Sequence, residues 1–509
     1  MRKLLAALLL LSLLLAGCAA PEEEPEVTLE DFQYQDTAPT QDSKGSDLPE
    51  TFSLAYHKDH TLDPITCGEG IQQDVASLLY EPLFRLDSSF QPSPLLCESA
   101  RTSDGGKTYV LTIRQGVLFT DGTELTAADA AASLRRAMTS QRYSHRLRNV
   151  LSVTTNREGQ VIITLSSPNT AFLSLLDIPV VKRGTEQLAV PIGTGPYVLV
   201  TTSEGSVLQA NPEWWQGKPL PVQTIPLVHA KDQDTAMYLF SSRRVQLLTI
   251  DPTGEQVSAS GKVSEARRPT TVMQYIGFNT RSGVFAEAAA RSAFSAGLQR
   301  EMLVTAFLSG HAQAAQFPLS PADPLYPGHL ETPYSYDNAL STLSGAEQNS
   351  GETRELTLLV NEENSFRLAN AAFVAESMSL GDWHISVVSL PWEEYLLALN
   401  EGRFDLYYGE VRMTADWDLT TLVGTGGSLN YGGYTSADTD ALLAAFSASS
   451  DRAAAAEALY SHLTETVPIA PLCFRSYLVL THPGVVEHLS ASPSGTFCSL
   501  DSWTIHLHE

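Results

Sequence analysis

The chain has 509 residues, of which 43% are hydrophobic and 18% are charged, enough for about two to four domains with large buried cores. Its 32 Lys and Arg residues against 58 Asp and Glu residues give a net charge of −26. This balance argues against a nucleic-acid binder and against docking on anionic lipid by charge. Five cysteines exclude a disulfide scaffold, and no apolar run of membrane-spanning length follows residue 20.

Residues 1–17 have the composition of a secretory signal, with two basic residues, a short apolar run and small residues at the end. The sequence Leu15-Ala16-Gly17-Cys18 resembles the bacterial lipobox, which implies cleavage before Cys18 and acylation of that cysteine. Two acyl chains are enough to hold a protein stably at a membrane. An ordinary secretory signal with an incidental cysteine is the alternative.

Residues 18–50 are expected to form a flexible tether behind the anchor. Residues 19–50 contain ten acidic residues, one lysine and four prolines. Such a segment buries too little apolar surface to fold, and its like charges extend it. We interpret it as a tether that holds a folded body away from the membrane, with an acidic interaction tail as the alternative.

From residue 51 onward, strand and helix signals alternate, which predicts an α/β protein. Strands are predicted at 51–56, 109–114, 161–165, 197–210, 225–229, 246–250, 272–279, 355–360 and 384–390. Helices are predicted from Asp74 to the region of Pro82 and at 126–138, 286–308, 365–380, 392–400, 436–448 and 451–466. Thr126 and Asp129 are spaced as a capping box. Residues 309–354, rich in Pro, Gly and Ser, predict an irregular connection.

Five segments of the folded body together carry a family resemblance. They are Leu79–Leu83, Asp104–Met138, Gly193–Tyr197, Asn211–Leu220 and the segment Gly277–Thr280 with Arg291 and Arg300 after it. In this order they resemble the extracytoplasmic solute-binding proteins of peptide and nickel ABC transporters (family 5). The resemblance runs from about residue 50 to the end of the chain.

The resemblance implies a bilobal α/β fold of the periplasmic-binding-protein type (type II) with an extra inserted subdomain. The first lobe is expected from residues 51–75, 190–280 and 470–509, the inserted subdomain from 76–189, and the second lobe from 281–469. Two crossover segments would hinge the lobes, and the ligand cleft would lie between them.

The resemblance also implies a function. The protein would capture a small solute, a peptide in the first place, and deliver it to the permease subunits of an ABC transporter. We expect a monomer without cofactor or enzymatic activity, held at the outer face of the bacterial membrane or in the periplasm by the lipid on Cys18.

The segment Phe404–Tyr434 is the predicted binding region. It resembles the family segment whose Asp binds the ligand's ammonium group, and Ala415-Asp416-Trp417 aligns with that motif, so Asp416 is the expected ligand. A site that accepts many peptides must bind their constant groups, which favours a buried carboxylate. Trp417 is either a wall of the cleft or a core residue.

Further contacts are predicted with less specific signals. Arg412 either binds a ligand carboxylate with its guanidinium fork or pairs with Glu410 or Asp405. The remaining predicted contacts are Asn430, Tyr431, Tyr56 and His57.

Three other functions compete with solute transport. The sequence has no G-x-S-x-G, H-E-x-x-H or G-x-x-x-x-G-K-[ST] motif, which disfavours a hydrolase. The doublets His57/His60 and His506/His508 lack the further ligands of a zinc site, so no metal site is predicted. Capture of nickel as a metallophore complex stays open, as does a lobe that signals to a sensor.

The four remaining cysteines leave their redox state open. Cys67, Cys97, Cys473 and Cys498 allow three full disulfide connectivities, or they stay as free thiols.

Overall fold

The computed structural model describes residues 48–68, 70–203, 205–253, 261–345, 354–381 and 383–508. The predicted signal, the predicted acylation site Cys18 and all but the last residues of the predicted tether lie outside the described residues. Within the described ranges, no helix has both the length and the apolar composition needed to cross a bilayer. The four cysteines in these ranges are free thiols.

The strands and helices largely follow the predicted alternation. The strands are β1 (Leu54–Tyr56), β2 (Phe84–Leu86), β3 (Pro92–Pro94), β4 (Cys97–Ser103), β5 (Thr108–Ile113), β6 (Val150–Thr155), β7 (Gln160–Leu165), β8 (Tyr197–Thr202), β9 (Gly205–Ala210), β10 (Thr224–His229), β11 (Leu247–Ile250), β12 (Ser264–Phe278), β13 (Ala312–Ala314), β14 (Arg354–Asn361), β15 (Trp383–Leu390), β16 (Leu406–Arg412), β17 (Ile469–Thr481), β18 (Val486–Glu487) and β19 (Thr504–Ile505). The α-helices are α1 (Ile71–Ser77), α2 (Ala127–Thr139), α3 (Gln233–Ser241), α4 (Ala288–Ala296), α5 (Arg300–Leu308), α6 (Tyr336–Gly345), α7 (Ser365–Met378), α8 (Trp392–Glu401), α9 (Thr420–Val423), α10 (Ala437–Ala448) and α11 (Arg452–Thr466). The capping box at Thr126 is confirmed, since its backbone N–H donates to Asp129 Oδ2 at 3.0 Å.

Three local predictions are wrong. The helix that was expected from Asp74 to Pro82 is α1, which begins at Ile71 and ends at Ser77. The single helix expected at 286–308 is two helices, α4 and α5, which are separated at Gly297. Residues 309–354, expected to be irregular, contain β13 and α6.

One 11-stranded sheet runs through both predicted lobes. Its strand order is β15-β14-β16-β12-β17-β11-β1-β10-β9-β8, and β13 pairs with β17 outside this path. β1 is parallel to β10 and β11, and β14 is parallel to β15 and β16, whereas the other pairs are antiparallel. The strands of the predicted first lobe form one half of the sheet, and those of the second lobe form the other.

The two long strands β12 and β17 join these halves. Residues 264–269 of β12 pair with β17 in one register, and pairing resumes where Met273 meets Phe474, with a second, smaller register shift between Gln274 and Tyr275. Between these points, residues 270–272 of β12 face Arg475 alone. The partner on the outer side changes here as well, from β11 along β17 to β16 along β12. A continuous pair of strands with an irregular step is a suitable hinge between two lobes.

The inserted segment 76–189 has its own small core. Its sheet has the antiparallel order β4-β5-β7-β6. Leu111 of β5 and Ile163 of β7 pack with Leu134 of α2 in one buried cluster. The domain boundaries themselves stay a prediction.

A buried carboxylate, Glu81, joins three of the segments that carry the family resemblance. It is 2% exposed and accepts hydrogen bonds from the Thr194 hydroxyl (2.9 Å), the indoles of Trp214 (3.2 Å) and Trp215 (2.6 Å), and the Gln216 amide (2.7 Å). Burial raises the pKa of Glu81, while these four donors act in the opposite direction. The inserted segment is therefore tied at its base to the chain that follows it.

Close backbone contact at the same place explains the glycines of Gly193–Tyr197. The backbone N–H of Gly195 donates to the Leu79 carbonyl at 3.0 Å. A Cβ atom on Gly195 would lie 2.4 Å from the Leu79 carbonyl carbon, so only glycine fits. The glycines thus serve backbone packing.

Candidate functional site

A cavity of about 1370 Å³ lies where the inserted segment and both predicted lobes meet. One wall is formed by the chain around α1, and a second by the residues that follow α2. The hinge strands β12 and β17 and the end of β11 form a third wall, and residues 307–309, His311 and Arg412 close it from the predicted second lobe. The volume exceeds the roughly 300–1,000 Å³ of ordinary small-molecule pockets, so a bulky solute fits.

Most charged side chains of the cavity wall are already paired. Arg268 lies 3.4 Å from Asp74, and His311 lies 3.3 Å from Glu265. Arg146 pairs with Asp177. Burial raises the pKa of Asp74, although Arg268 and the Thr496 hydroxyl act against this shift.

Arg142 is different, because among the described residues it forms no ion pair with a carboxylate. Its guanidinium donates to the side-chain oxygen of Gln73 and stands 5.1 Å from the ring centre of Tyr143. The amide nitrogen of Gln73 is buried and finds no acceptor within the described part of the chain. Both residues line the cavity. Together they offer a carboxylate a cationic fork and a neutral N–H donor.

The thiol of Cys67 lines the same wall. Burial raises its pKa, which keeps it protonated at neutral pH, and a protonated thiol is a weak metal ligand. No three His, Cys, Asp or Glu side chains come together in a metal-binding group anywhere in the described ranges.

Of the predicted site residues, Arg412 lines the cavity. It lies at the end of β16, and its guanidinium donates to the Tyr477 hydroxyl at 3.1 Å. Glu410, one of its two expected partners, pairs with Arg367 at 2.8 Å, and Asp405 accepts from the backbone of Thr357.

Asp416 lies outside the cavity wall, in the contact between the inserted segment and the second lobe. It is 6% exposed and accepts from the Asn169 amide at 2.7 Å and the Thr414 hydroxyl at 2.5 Å. Burial raises the pKa of Asp416, and the charge of Asp418 adds to this shift. An ammonium group would have to replace Asn169 to reach this carboxylate.

Trp417 packs in the core of the second lobe. Its side chain is 1% exposed, and its indole N–H donates to Asp323 Oδ2 at 2.8 Å. Its edge contacts the ring of Phe90 from the inserted segment, with 5.1 Å between ring centres. Its φ of 59° is in the left-handed region, which residues other than glycine seldom adopt, so these contacts hold a strained backbone.

The other predicted contacts have structural partners away from the cavity. The Asn430 side chain closes its own loop, since it donates to the Gly424 and Tyr434 carbonyls. The Tyr431 ring lies edge-on to another tyrosine, Tyr407, at 6.1 Å.

The last two predicted contacts lie at the end of β1. The Tyr56 hydroxyl donates to Ser206 at 3.0 Å. His57 Nδ1 lies 2.5 Å from the Ala230 carbonyl, and the His57 backbone N–H donates to Gln72.

The resemblance predicted a binding region at Phe404–Tyr434 and gave no prediction for the cavity wall formed by the residues that follow α2. A sequence signal was available there, because residues 142–148 contain three arginines and a histidine in a chain of net charge −26. A local cationic cluster in an acidic chain indicates an anion site or a set of ion pairs.

Asp416→Ala is expected to lower the free energy of unfolding by about 1–3 kcal/mol in the solute-free protein, because the donors of Asn169 and Thr414 lose a buried acceptor. Urea titration measures this loss. The control is Glu355→Ala, an exposed carboxylate of the same lobe, which should stay within about 0.5 kcal/mol of the wild type. Equal stability of the two variants would contradict the buried role of Asp416.

Comparison with known proteins gives the family. Residues 91–431 match the bacterial extracellular solute-binding proteins, family 5 Middle. The glutathione-binding protein GsiB of Salmonella typhi is 28% identical over 304 residues, which cover 56% of this chain and 59% of that protein. The chain therefore matches less than two thirds of this relative's length.

Solved structures show the same fold. HbpA2 from Haemophilus parasuis has a TM-score of 0.74 at 20% identity, covering 90% of this chain and 100% of that one. The nickel ABC transporter protein from Bacillus halodurans has a TM-score of 0.73 at 18% identity, covering 90% and 99%. The predicted bilobal binding-protein fold is confirmed. Since the matched segment 91–431 covers well over half of the 509 residues, the chain belongs to the bacterial extracellular solute-binding proteins of family 5.

Proposed function

We propose that this protein captures a small solute, a peptide in the first place, and delivers it to the permease subunits of an ABC transporter. The observation that carries the proposal is the cavity of about 1370 Å³ between two lobes that two continuous strands connect. Closure of hinged lobes around a ligand is the established motion of such architectures. The glutathione-binding relatives support a peptide-like solute.

The charges of the cavity support a solute with both a carboxylate and an ammonium group. Arg142 and Gln73 receive the carboxylate in this proposal. Asp251 and Glu265 on the hinge wall attract the positive end. Asp416 as the ammonium ligand stays the sequence-based prediction, and it requires Asn169 to turn away.

We infer from the lipobox that Cys18 carries the lipid anchor and that the acidic segment after it serves as the tether. A membrane-held receptor keeps its captured solute close to the permease, which raises the effective concentration of the loaded protein. Replacement of Cys18 by alanine would then release the protein from the membrane fraction.

Native mass spectrometry of the full chain, extracted from its own membranes in mild detergent, tests the proposed function. We expect bound mass that is released by acid and sequenced as peptides, and we expect less of it in Arg142→Gln prepared in parallel. A metal chelate would favour the metallophore alternative over peptides. Chemical conversion of the bound solute, or no bound solute in the wild type, would contradict the proposal, and equal loading of both preparations would contradict the role of Arg142.

A further inference from the structure

A buried arginine sits at the irregular step between the two hinge strands. Arg475 of β17 is 6% exposed and is the one residue of that strand between the pairs Pro269–Ser476 and Met273–Phe474. Its backbone carbonyl accepts a hydrogen bond from the Thr270 hydroxyl at 2.6 Å. Thr270 in turn lies on the unpaired stretch of β12, so both sides of the step are joined at this point.

The side chain of Arg475 reaches a carboxylate in each lobe. Its terminal nitrogen donates to Asp251 Oδ1 at 2.6 Å, just beyond the end of β11 in the first lobe. Its Nε lies 3.1 Å from Glu410 Oε2 on β16 of the second lobe. These two strands are the ones that flank the hinge strands on either side of the step.

Each of the two carboxylates is held in place by its own lobe. Asp251 accepts from the backbone N–H of Thr253 at 3.0 Å, in a tight turn. Glu410 is held by Arg367 of α7 in the second lobe at 2.8 Å, and it also accepts from the Gln274 amide of hinge strand β12 at 3.2 Å. Because both carboxylates are anchored, a rotation of one lobe against the other must lengthen at least one arm of the bridge.

We infer that the Asp251–Arg475–Glu410 bridge is an ionic pin that sets the angle between the lobes, and that Arg475 is a positioning residue for solute capture. The arm to Asp251 is a charge-assisted hydrogen bond, and the arm to Glu410 is an ion pair between two largely buried groups, where charge attraction is screened less than at the surface. Both properties suit a part that fixes geometry. The inference concerns the hinge and does not depend on which solute is bound.

The pin is also in contact with the cavity. Asp251 lines the cavity wall, whereas Arg475 and Glu410 lie behind it. The side chain of Asp251 is 37% exposed, so a cationic group in the cavity competes with Arg475 for the same carboxylate. Occupancy of the cavity and the angle of the hinge are thereby coupled through one side chain.

Pulsed electron-electron distance measurement on the full chain tests the pin. Spin-labelled noncanonical residues replace Tyr238 in the first lobe and Leu397 in the second, which are 66% and 52% exposed. The labels leave the native cysteines untouched. In the solute-free protein, Asp251→Asn and Glu410→Gln are each expected to broaden the distance distribution and to shift it to longer distances.

Asp234→Asn is the matched control, since Asp234 also lines the cavity and is exposed but is no part of the Asp251–Arg475–Glu410 bridge. It should reproduce the wild-type distribution. Because Asp251 is partly exposed, its variant folds even if changes at Arg475 do not. Wild-type distances in both test variants, or a shift in only one of them, would overturn the two-armed pin.

Discussion

Glu81→Ala is expected to lower the free energy of unfolding by about 3–5 kcal/mol. The substitution removes the acceptor of four hydrogen bonds at a site that is 2% exposed. Each buried donor left unsatisfied costs about 1–3 kcal/mol, and partial access of water to the two indoles keeps the total below the sum. The loss is large because the donors come from two separate segments, which no longer share a partner.

Urea unfolding at pH 7 measures this effect, with Glu213→Ala as the control. Glu213 lies in the same segment as the two tryptophans but is exposed, so its variant should stay within about 0.5 kcal/mol of the wild type. A loss below 1 kcal/mol for Glu81→Ala would mean that water replaces the carboxylate.

The second large effect is expected in binding. Arg142→Gln should weaken the binding of tripeptides with a free carboxylate about 10- to 150-fold, because hydrogen bonds to charged groups contribute about 1.5–3 kcal/mol. The reason lies in the cavity wall, where Arg142 forms no ion pair with a carboxylate of the described residues. Arg142→Lys should recover part of the affinity, since it keeps the charge and loses the fork.

A tripeptide library with free carboxylates and the same library with C-terminal amides separate the possible outcomes in calorimetric titrations. We expect the wild type to prefer the acids and Arg142→Gln to lose this preference. Arg157→Gln, an exposed arginine of the inserted segment, serves as the control and should bind like the wild type. Equal affinity of the wild type for the acids and the amides would contradict the prediction that Arg142 binds the carboxylate of the solute.

Local elements were predictable where their signal lies within one turn of the chain. Thr126 and Asp129 mark the start of α2, and both partners are three residues apart, so the sequence contains the whole interaction. The prediction of a single helix at 286–308 is wrong because the break in it depends on contacts with residues that are distant along the chain. Gly297 separates α4 from α5 where it packs against Ala339 and Met378, and a Cβ there would lie 2.8 Å from the Ala339 side chain.

The segment after α1 shows the same limit. Its leucines have helical spacing, but the backbone of Leu78 and Leu79 accepts hydrogen bonds from Tyr197 and Gly195. Long-range backbone pairing prevailed over the local pattern, because the turn at Leu78 and Leu79 leaves their carbonyls free to accept from donors of a distant segment.

The family resemblance predicted the fold correctly, but it predicted only part of the candidate site. Arg412 was predicted and lines the cavity, whereas Asp416 and Trp417 lie in buried contacts with Asn169, Phe90 and Asp323. Gln73 and Arg142 were missed, because each is an ordinary polar residue in its own segment.

The sequence by itself determined the fold class, the alternation of strands and helices and the family, since these depend on periodic patterns and ordered motifs. The tertiary structure alone decided which charges have partners. Arg475, Asp251 and Glu410 are separated by up to 224 residues and meet only because β11, β17 and β16 are placed around the same hinge. Electrostatic partners depend on distance in space, and the spacing of residues along the chain carries no measure of that distance.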